Sequence, residues 1–125
     1  MEIRCRLARE PRAPSRARRE IEKLTEDLRW RAADVLLVVS ELVTNSVRHG
    51  PARAEIELLA RRSEEALEVE VCEPGPGFEL PRRVTQPALQ GGGLGLVIVD
   101  ELADAWGLRT DGEACVWVRF ELAAG

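Results

Sequence analysis

Glu41, Asn45, Arg48 and His49 stand at i, i+4, i+7 and i+8 in the run Glu41-Leu42-Val43-Thr44-Asn45-Ser46-Val47-Arg48-His49-Gly50. At about 100° per residue in a helix, these four line one stripe along the edge of an apolar face made by Val35, Val39, Leu42 and Val43. A carboxylate, an amide and two basic groups so arranged suit a magnesium-bound polyphosphate. Asn45 can offer its carbonyl oxygen to a Mg²⁺ that keeps waters and phosphate oxygens as its other ligands. Glu41, one turn earlier, can orient or deprotonate a nucleophile that attacks the terminal phosphate. Arg48 can meet phosphate oxygens bidentately. Taken alone, the same stripe also reads as a solvated helix face with ordinary i,i+4 pairs.

Two glycine-bearing motifs follow and change that balance. In Glu73-Pro74-Gly75-Pro76-Gly77-Phe78, Gly75 and Gly77 let backbone come close to a flat ligand. A carboxylate at the end of a strand, Glu73, can accept a hydrogen bond from an adenine amino group. In Gly91-Gly92-Gly93-Leu94-Gly95-Leu96, exposed backbone N–H groups lead into a helix and form a site for anions. No Gly-Lys-Ser/Thr follows, so it is not a phosphate loop of the Walker type. It opens a late helix, not a first βα turn, so it is not a dinucleotide fingerprint.

The elements that must position these motifs are legible from periodicity. Ile3, Cys5 and Leu7 alternate with charged residues as in a half-buried strand. Ala17, Ile21, Leu24 and Leu28 recur at helical spacing after Pro14-Ser15, and a turn near Arg29-Trp30 leads to a second helix over about 32–49, closed by Gly50-Pro51. Ala54, Ile56 and Leu58, then Leu67, Val69 and Val71, read as two strands joined by a turn over 61–65. The Pro-containing stretch 79–90 has no period and reads as a mobile loop. A third helix is expected over about 94–106, with Val97, Ile98, Leu102 and Ala105 inward and Gly107 as its stop. A last strand is expected over 114–122, with Val116, Val118, Phe120 and Leu122 on one side and Trp117, Arg119 and Glu121 on the other. The expected fold class is α+β: a two-layer sandwich in which about three helices cover one face of a mixed, mostly antiparallel sheet. Residues 1–125 are read as one domain.

Composition excludes several classes. No run approaches the length of apolar sequence that a membrane helix needs, and the N-terminus Met-Glu-Ile-Arg-Cys-Arg has no apolar leader, so a cytoplasmic location without membrane contact is expected. Cys5, Cys72 and Cys115 are odd in number and widely spaced, which predicts buried thiols with neither a disulfide framework nor a zinc site. Residues 1–31 hold ten Lys/Arg against six Asp/Glu, while residues 32–125 hold eight against sixteen. The basic excess alternates with acids along a helix and lacks an aromatic platform, so direct nucleic-acid binding is not expected.

In their order and spacing the three motifs resemble the N, G1 and G2 boxes of the GHKL ATPases, the superfamily of gyrase, Hsp90, histidine kinases and MutL. Within it the chain is similar to the small stand-alone anti-sigma factor serine/threonine kinases. They share the minimal size, the run Leu36-Leu37-Val38-Val39-Ser40-Glu41-Leu42-Val43-Thr44-Asn45, and Trp106-Gly107 after the third helix. The resemblance implies ATP and Mg²⁺ as cofactors, with Glu41 as general base and Asn45 as the magnesium ligand. It implies that Glu73 reads the adenine amino group, that Gly75 and Gly77 seat the base, and that Gly93 and Gly95 meet the phosphates with the neighbouring Gly91, Gly92 and Leu94. Arg48 and His49 complete the binding set. Cys115 takes the place of a hydroxyl residue that helps hold a water beside adenine. The implied partners are a small antagonist protein, phosphorylated on serine or threonine, and a sigma factor that the chain sequesters.

The chain departs from that pattern at Glu73, which replaces the usual Asp, at Cys115, and at Gly91-Gly92, where some of these kinases carry Arg-Ser. These departures keep a second reading open: a catalytically weak or inactive partner-switching module. A sensor histidine kinase is disfavoured because His49, the single histidine, lies inside the N box. Outward-facing Trp117 is an apolar group that prefers cover, which favours a homodimer.

Overall fold

Alternation in β1 (Glu2–Leu7) turns Ile3, Cys5 and Leu7 toward the core and leaves Glu2, Arg4 and Arg6 exposed. The same period of two runs through β2 (Ile56–Arg62) and β3 (Ala66–Glu73), whose inward residues are Ile56, Leu58 and Ala60, then Leu67, Val69 and Val71. These assignments come from a computed structural model that describes residues 1–49, 55–73, 96–109 and 113–122, the side chains of Trp30 and His49 excepted. Five strands are described, in the spatial order β1-β2-β3-β5-β4, and every pairing among them is antiparallel. The fold is α+β, an open sheet with three described helices on one face.

Helix α1 (Ala13–Thr25) carries Pro14 in its first turn, where a missing N–H costs nothing and the fixed φ favours entry. It buries Ala13, Ala17, Ile21 and Leu24. Arg62, at the end of β2, donates to the Leu24 carbonyl at 2.6 Å and to Asp27 Oδ2 at 2.8 Å, satisfying an orphan carbonyl of the helix end. Arg29 has φ of 54°, and this left-handed residue ends the turn so that α2 (Trp30–His49) starts in a new direction. Helix α2 buries Val35, Val38, Val39, Leu42 and Val43 against the sheet. At its start Arg31 donates to Asp34 at 3.1 Å, to the Leu102 carbonyl at 3.2 Å and to Asp104 at 2.6 Å, and lies 5.2 Å from the centre of the Phe120 ring. None of the described helices is long and apolar enough to cross a membrane.

The sequence expectation needs two corrections. The third helix, α3 (Leu96–Leu102), ends before Trp106, and residues Ala105–Arg109 form strand β4 along β5 (Ala114–Glu121). Val97, Leu102 and Ala105 do fit a helical period. However, the Asp104 N–H donates to the Arg119 carbonyl at 2.9 Å, so backbone pairing with β5 takes over two residues after α3 ends. Trp106 and Leu108 then pack on the core with a period of two. Gly107 lies opposite Trp117. It is not a helix stop: a Cβ there would stand 2.8 Å from the indole ring. Part of the cover that Trp117 lacks in the sequence is thus supplied within the chain.

The second correction concerns the cysteines. Cys72 and Cys115 are directly opposed on β3 and β5 and are joined by a disulfide, and only Cys5 is a free thiol. Odd number and wide spacing do not exclude a bridge when pairing of distant strands brings two cysteines to one register position.

Replacing Gly107 by Ala should destabilise the fold by about 1–3 kcal/mol, as overpacking does, and a smaller residue at position 117 should relieve much of that loss in a double-mutant cycle of urea midpoints. Thiol titration of the denatured chain should find one reactive thiol without reductant and three after reduction; three without reductant would contradict the bridge.

Candidate functional site

The burial that fastens α2 to the sheet also sets the depth of its polar stripe. With Leu42 and Val43 buried, Glu41 is half-buried, Asn45 is 9% exposed and Arg48 is exposed. The stripe therefore runs from the margin of the core out to solvent. Asn45 sits deeper than a solvated face would place it. Among the described residues, neither Glu41 nor Asn45 has a side-chain hydrogen bond or ion pair.

Strand β3 brings Glu73 to the same layer. It follows Leu67, Val69 and Val71 on the face that the helices cover, opposite Ala114 in register, and it has no solvent exposure. A carboxylate so buried needs a cation. Arg9, from the segment between β1 and α1, supplies it: Nη2 donates to Glu73 Oε2 while Nη1 donates to the Ser46 carbonyl. Burial pushes the Glu73 carboxyl above its ordinary value, and Arg9 with the Ser46 hydroxyl pulls part of the way back. Glu73 Oε1 is buried and has no hydrogen-bond partner.

One guanidinium thus touches both the residue after Asn45 and the acid that ends β3. The first two sequence motifs, separated by 22 residues of chain, meet at Arg9. Helix α3, which follows the third motif, packs against α2 through its buried Leu96 and Val99. Gly75 and Gly77, the set Gly91, Gly92, Gly93, Leu94 and Gly95, and the expected loop over 79–90 lie outside the described residues, as does the side chain of His49.

Cys115 requires a correction. Residues 115, 117 and 119 of β5 point to the bare face of the sheet, and Cys115 is bonded there to Cys72. Its neighbours are Arg109 Nη2 at 3.4 Å and Glu113 Oε2 at 3.8 Å. The sheet lies between Cys115 and Glu73, so the sulfur cannot stand beside a base read by that acid. The error is one of strand parity: a shift of one residue moves a side chain to the other face.

The bare face carries an open cleft of about 720 Å³ that includes Arg4, Glu57, Arg61, Glu70, Arg109 and Trp117. Its charges largely answer one another, as Arg109 with Glu70 at 3.3 Å and Arg61 with Glu2 at 3.1 Å. The helix-side cluster of Glu41, Asn45, Ser46, Glu73 and Arg9 is the better candidate site, because it holds a buried acceptor without a partner, Glu73 Oε1. Sequence reasoning missed Arg9 and Ser46. Arg9 is one of many charges in a basic tract, and nothing in its neighbours marks it as the one that turns inward.

A model of the histidine kinase-like ATPase domain matches residues 7–120. No curated protein matches the chain. Among solved structures, the crystal structure of the RsbU and RsbW domains of Rv1364c from Mycobacterium tuberculosis superposes with a TM-score of 0.73 at 16% identity. That match covers 100% of this chain and 33% of the other, so this chain spans about a third of that protein's length. At such identity the likeness is one of fold.

Because the folded state holds the Glu73 proton more tightly than the unfolded chain does, it binds more protons from the ordinary value of 4.5 up to the raised one. Stability contributed by Glu73 is then full below that window and is lost as pH rises through it. The urea midpoint of wild type minus that of Glu73→Gln should fall from pH 4.5 toward pH 8; a difference that grows with pH would show that Arg9 outweighs burial.

Proposed function

Since the chain belongs to the histidine kinase-like ATPase domain family, we propose that it binds Mg²⁺-ATP through the helix-side cluster and transfers the terminal phosphoryl group to a serine or threonine of a small antagonist protein. In this reading the unphosphorylated antagonist competes with a sigma factor for the chain. The observation that carries it is the meeting of the N-box helix with Glu73 at one guanidinium, where Glu73 Oε1 is buried without a partner and where Asn45 and Glu41 pair with no other described residue. Buried polar groups are normally satisfied, and a ligand with amino, phosphate and metal groups would satisfy these.

The residues fit the group. Bound Mg²⁺-ATP would supply the transferable phosphoryl group and the cation that offsets its charge. Asn45 offers its amide oxygen to the metal, a hard oxygen ligand for a hard ion. Glu41 is half-buried and pairs with no other described residue, and it accepts the proton of the attacking hydroxyl. Arg48, exposed at the outer end of the stripe, meets phosphate oxygens, with His49 next to it in the chain. Glu73 accepts from the amino group of the base. Gly75 and Gly77 admit the base closely, and backbone N–H groups of the Gly91–Gly95 run hold phosphate.

One observation favours a second reading, in which the chain switches partners without turnover: Glu73 already has a cation in Arg9. A second copy packed on the bare sheet face around Trp117 is compatible with either reading.

Calorimetry and a phosphotransfer assay separate the two. Wild type should bind Mg²⁺-ATP and Asn45→Ala should bind it at least about tenfold more weakly. Glu41→Ala should bind as wild type does yet lose transfer to the antagonist by roughly 10²–10⁴-fold, the usual worth of a general base. Retained transfer in Glu41→Ala would remove its assigned role, and partner exchange without transfer in wild type would establish the second reading.

A further inference from the structure

Glu73 has two carboxylate oxygens in different circumstances. Oε2 accepts from Arg9 Nη2, whereas Oε1 is buried with no partner. Arg9 is itself nearly buried, at 7% side-chain exposure, and its other terminal nitrogen is fixed to the Ser46 carbonyl on α2. The guanidinium can therefore neither swing to solvent without breaking two bonds nor leave Glu73 without stranding a buried charge. Its two bonds hold Glu73 Oε2 in place relative to α2 and leave Oε1 to face away from the guanidinium contact.

We propose that Arg9 is a positioning residue of the base pocket, which keeps Glu73 as an oriented carboxylate whose unpartnered Oε1 accepts one N–H from an amino-bearing purine. The inference rests on the nucleotide reading above and adds to it the determinant of base selectivity. An ionised carboxylate only accepts hydrogen bonds, so it favours the 6-amino group of adenine and repels the 6-oxo group of hypoxanthine. A protonated carboxyl can donate, and it would accept the 6-oxo base. The charge state of Glu73 thus decides between the two bases, and Arg9 favours the ionised form against the burial that opposes it. Among the described residues, the groups that face Glu73 are Ser46 from α2, Ala114 from β5 and Arg9 from the β1–α1 segment, and Arg9 is the charged one. Glu55, just before β2, and Glu57, within it, belong with Cys72 and Glu113 to a cleft on the other face of the sheet. The same placement accounts for a longer acid at this position, which reaches a cation that enters from the β1–α1 segment.

The test compares binding of Mg²⁺-ATP and Mg²⁺-inosine triphosphate to full-length wild type, Arg9→Met and Arg9→Lys across pH 5.5–8.5, with thermal melts to confirm folding. Wild type should prefer ATP at neutral pH, and the preference should shrink as pH falls and Glu73 takes up a proton. Arg9→Met should lose roughly tenfold or more of that preference at neutral pH, the worth of one hydrogen bond to a charged group, and should regain part of it at the alkaline end. Arg9→Lys should retain it. Should Arg9→Met fail to fold, the wild-type pH profile and Arg9→Lys still decide. A wild-type preference flat across the range overturns the proposal, as does a folded Arg9→Met that keeps the full preference. Tighter ATP binding by Arg9→Met than by wild type would also overturn it, since the guanidinium would then occupy the place of the base. Binding of neither nucleotide by wild type would refute the nucleotide reading itself, whereas equal binding of both would refute the reading of the base by Glu73 and Arg9 and leave nucleotide binding standing.

Discussion

Each strand of this sheet has two faces, and the described helices cover one of them. That constraint orders the rest of the molecule. Residues of one parity, such as Leu58, Val69, Val71, Val118 and Phe120, are sealed beneath α1, α2 and α3. Residues of the other parity carry charge, the Cys72–Cys115 bridge and Trp117 to the bare side. Glu73 follows Val71 by two positions and so enters the helical layer as a carboxylate in an apolar series. The sheet gives it no route to water, so its charge has to be met from the layer above.

Arg9 meets it, and in doing so ties together parts that are far apart in the chain. The β1–α1 segment, the N-box helix and the end of β3 converge on one guanidinium. A second arginine does comparable work at the far end of α2. Arg31 holds the last carbonyl of α3, the acid that precedes β4 and the face of Phe120. Between these two anchors α2 is fixed along its length, which sets the depth of Glu41 and Asn45. A site that discriminates between ligands needs side chains held by such surroundings, because a loosely held carboxylate or amide can turn to suit any ligand.

Much of this was legible in sequence because periodicity reports burial directly. The three helices, the strands β1, β2, β3 and β5, and the α+β layering follow from the spacing of Ile21 and Leu24, of Val39 and Val43, and of Val69 and Val71. Strand β4 was not legible. Ala105 fits the inner face of a continuing helix as well as a strand, and Gly107 reads as a stop signal until the indole of Trp117 is seen over it. The disulfide was hidden for a related reason: cysteines 43 residues apart become neighbours only through the register of β3 on β5.

For the site, residue type and spacing by themselves determined the chemistry on offer: an acid and an amide one helical turn apart, a carboxylate at a strand end, and a glycine run before a helix. Those are local properties, set by the 3.6-residue turn and the two-residue pleat. Tertiary structure alone decided which of these groups share a layer. It put Glu73 with Ser46, put Cys115 behind the sheet, and selected Arg9 from a tract of look-alike charges. The physical reason is that a buried charge is answered by whichever opposite charge the packing brings within reach, and the sequence does not encode that proximity as a pattern.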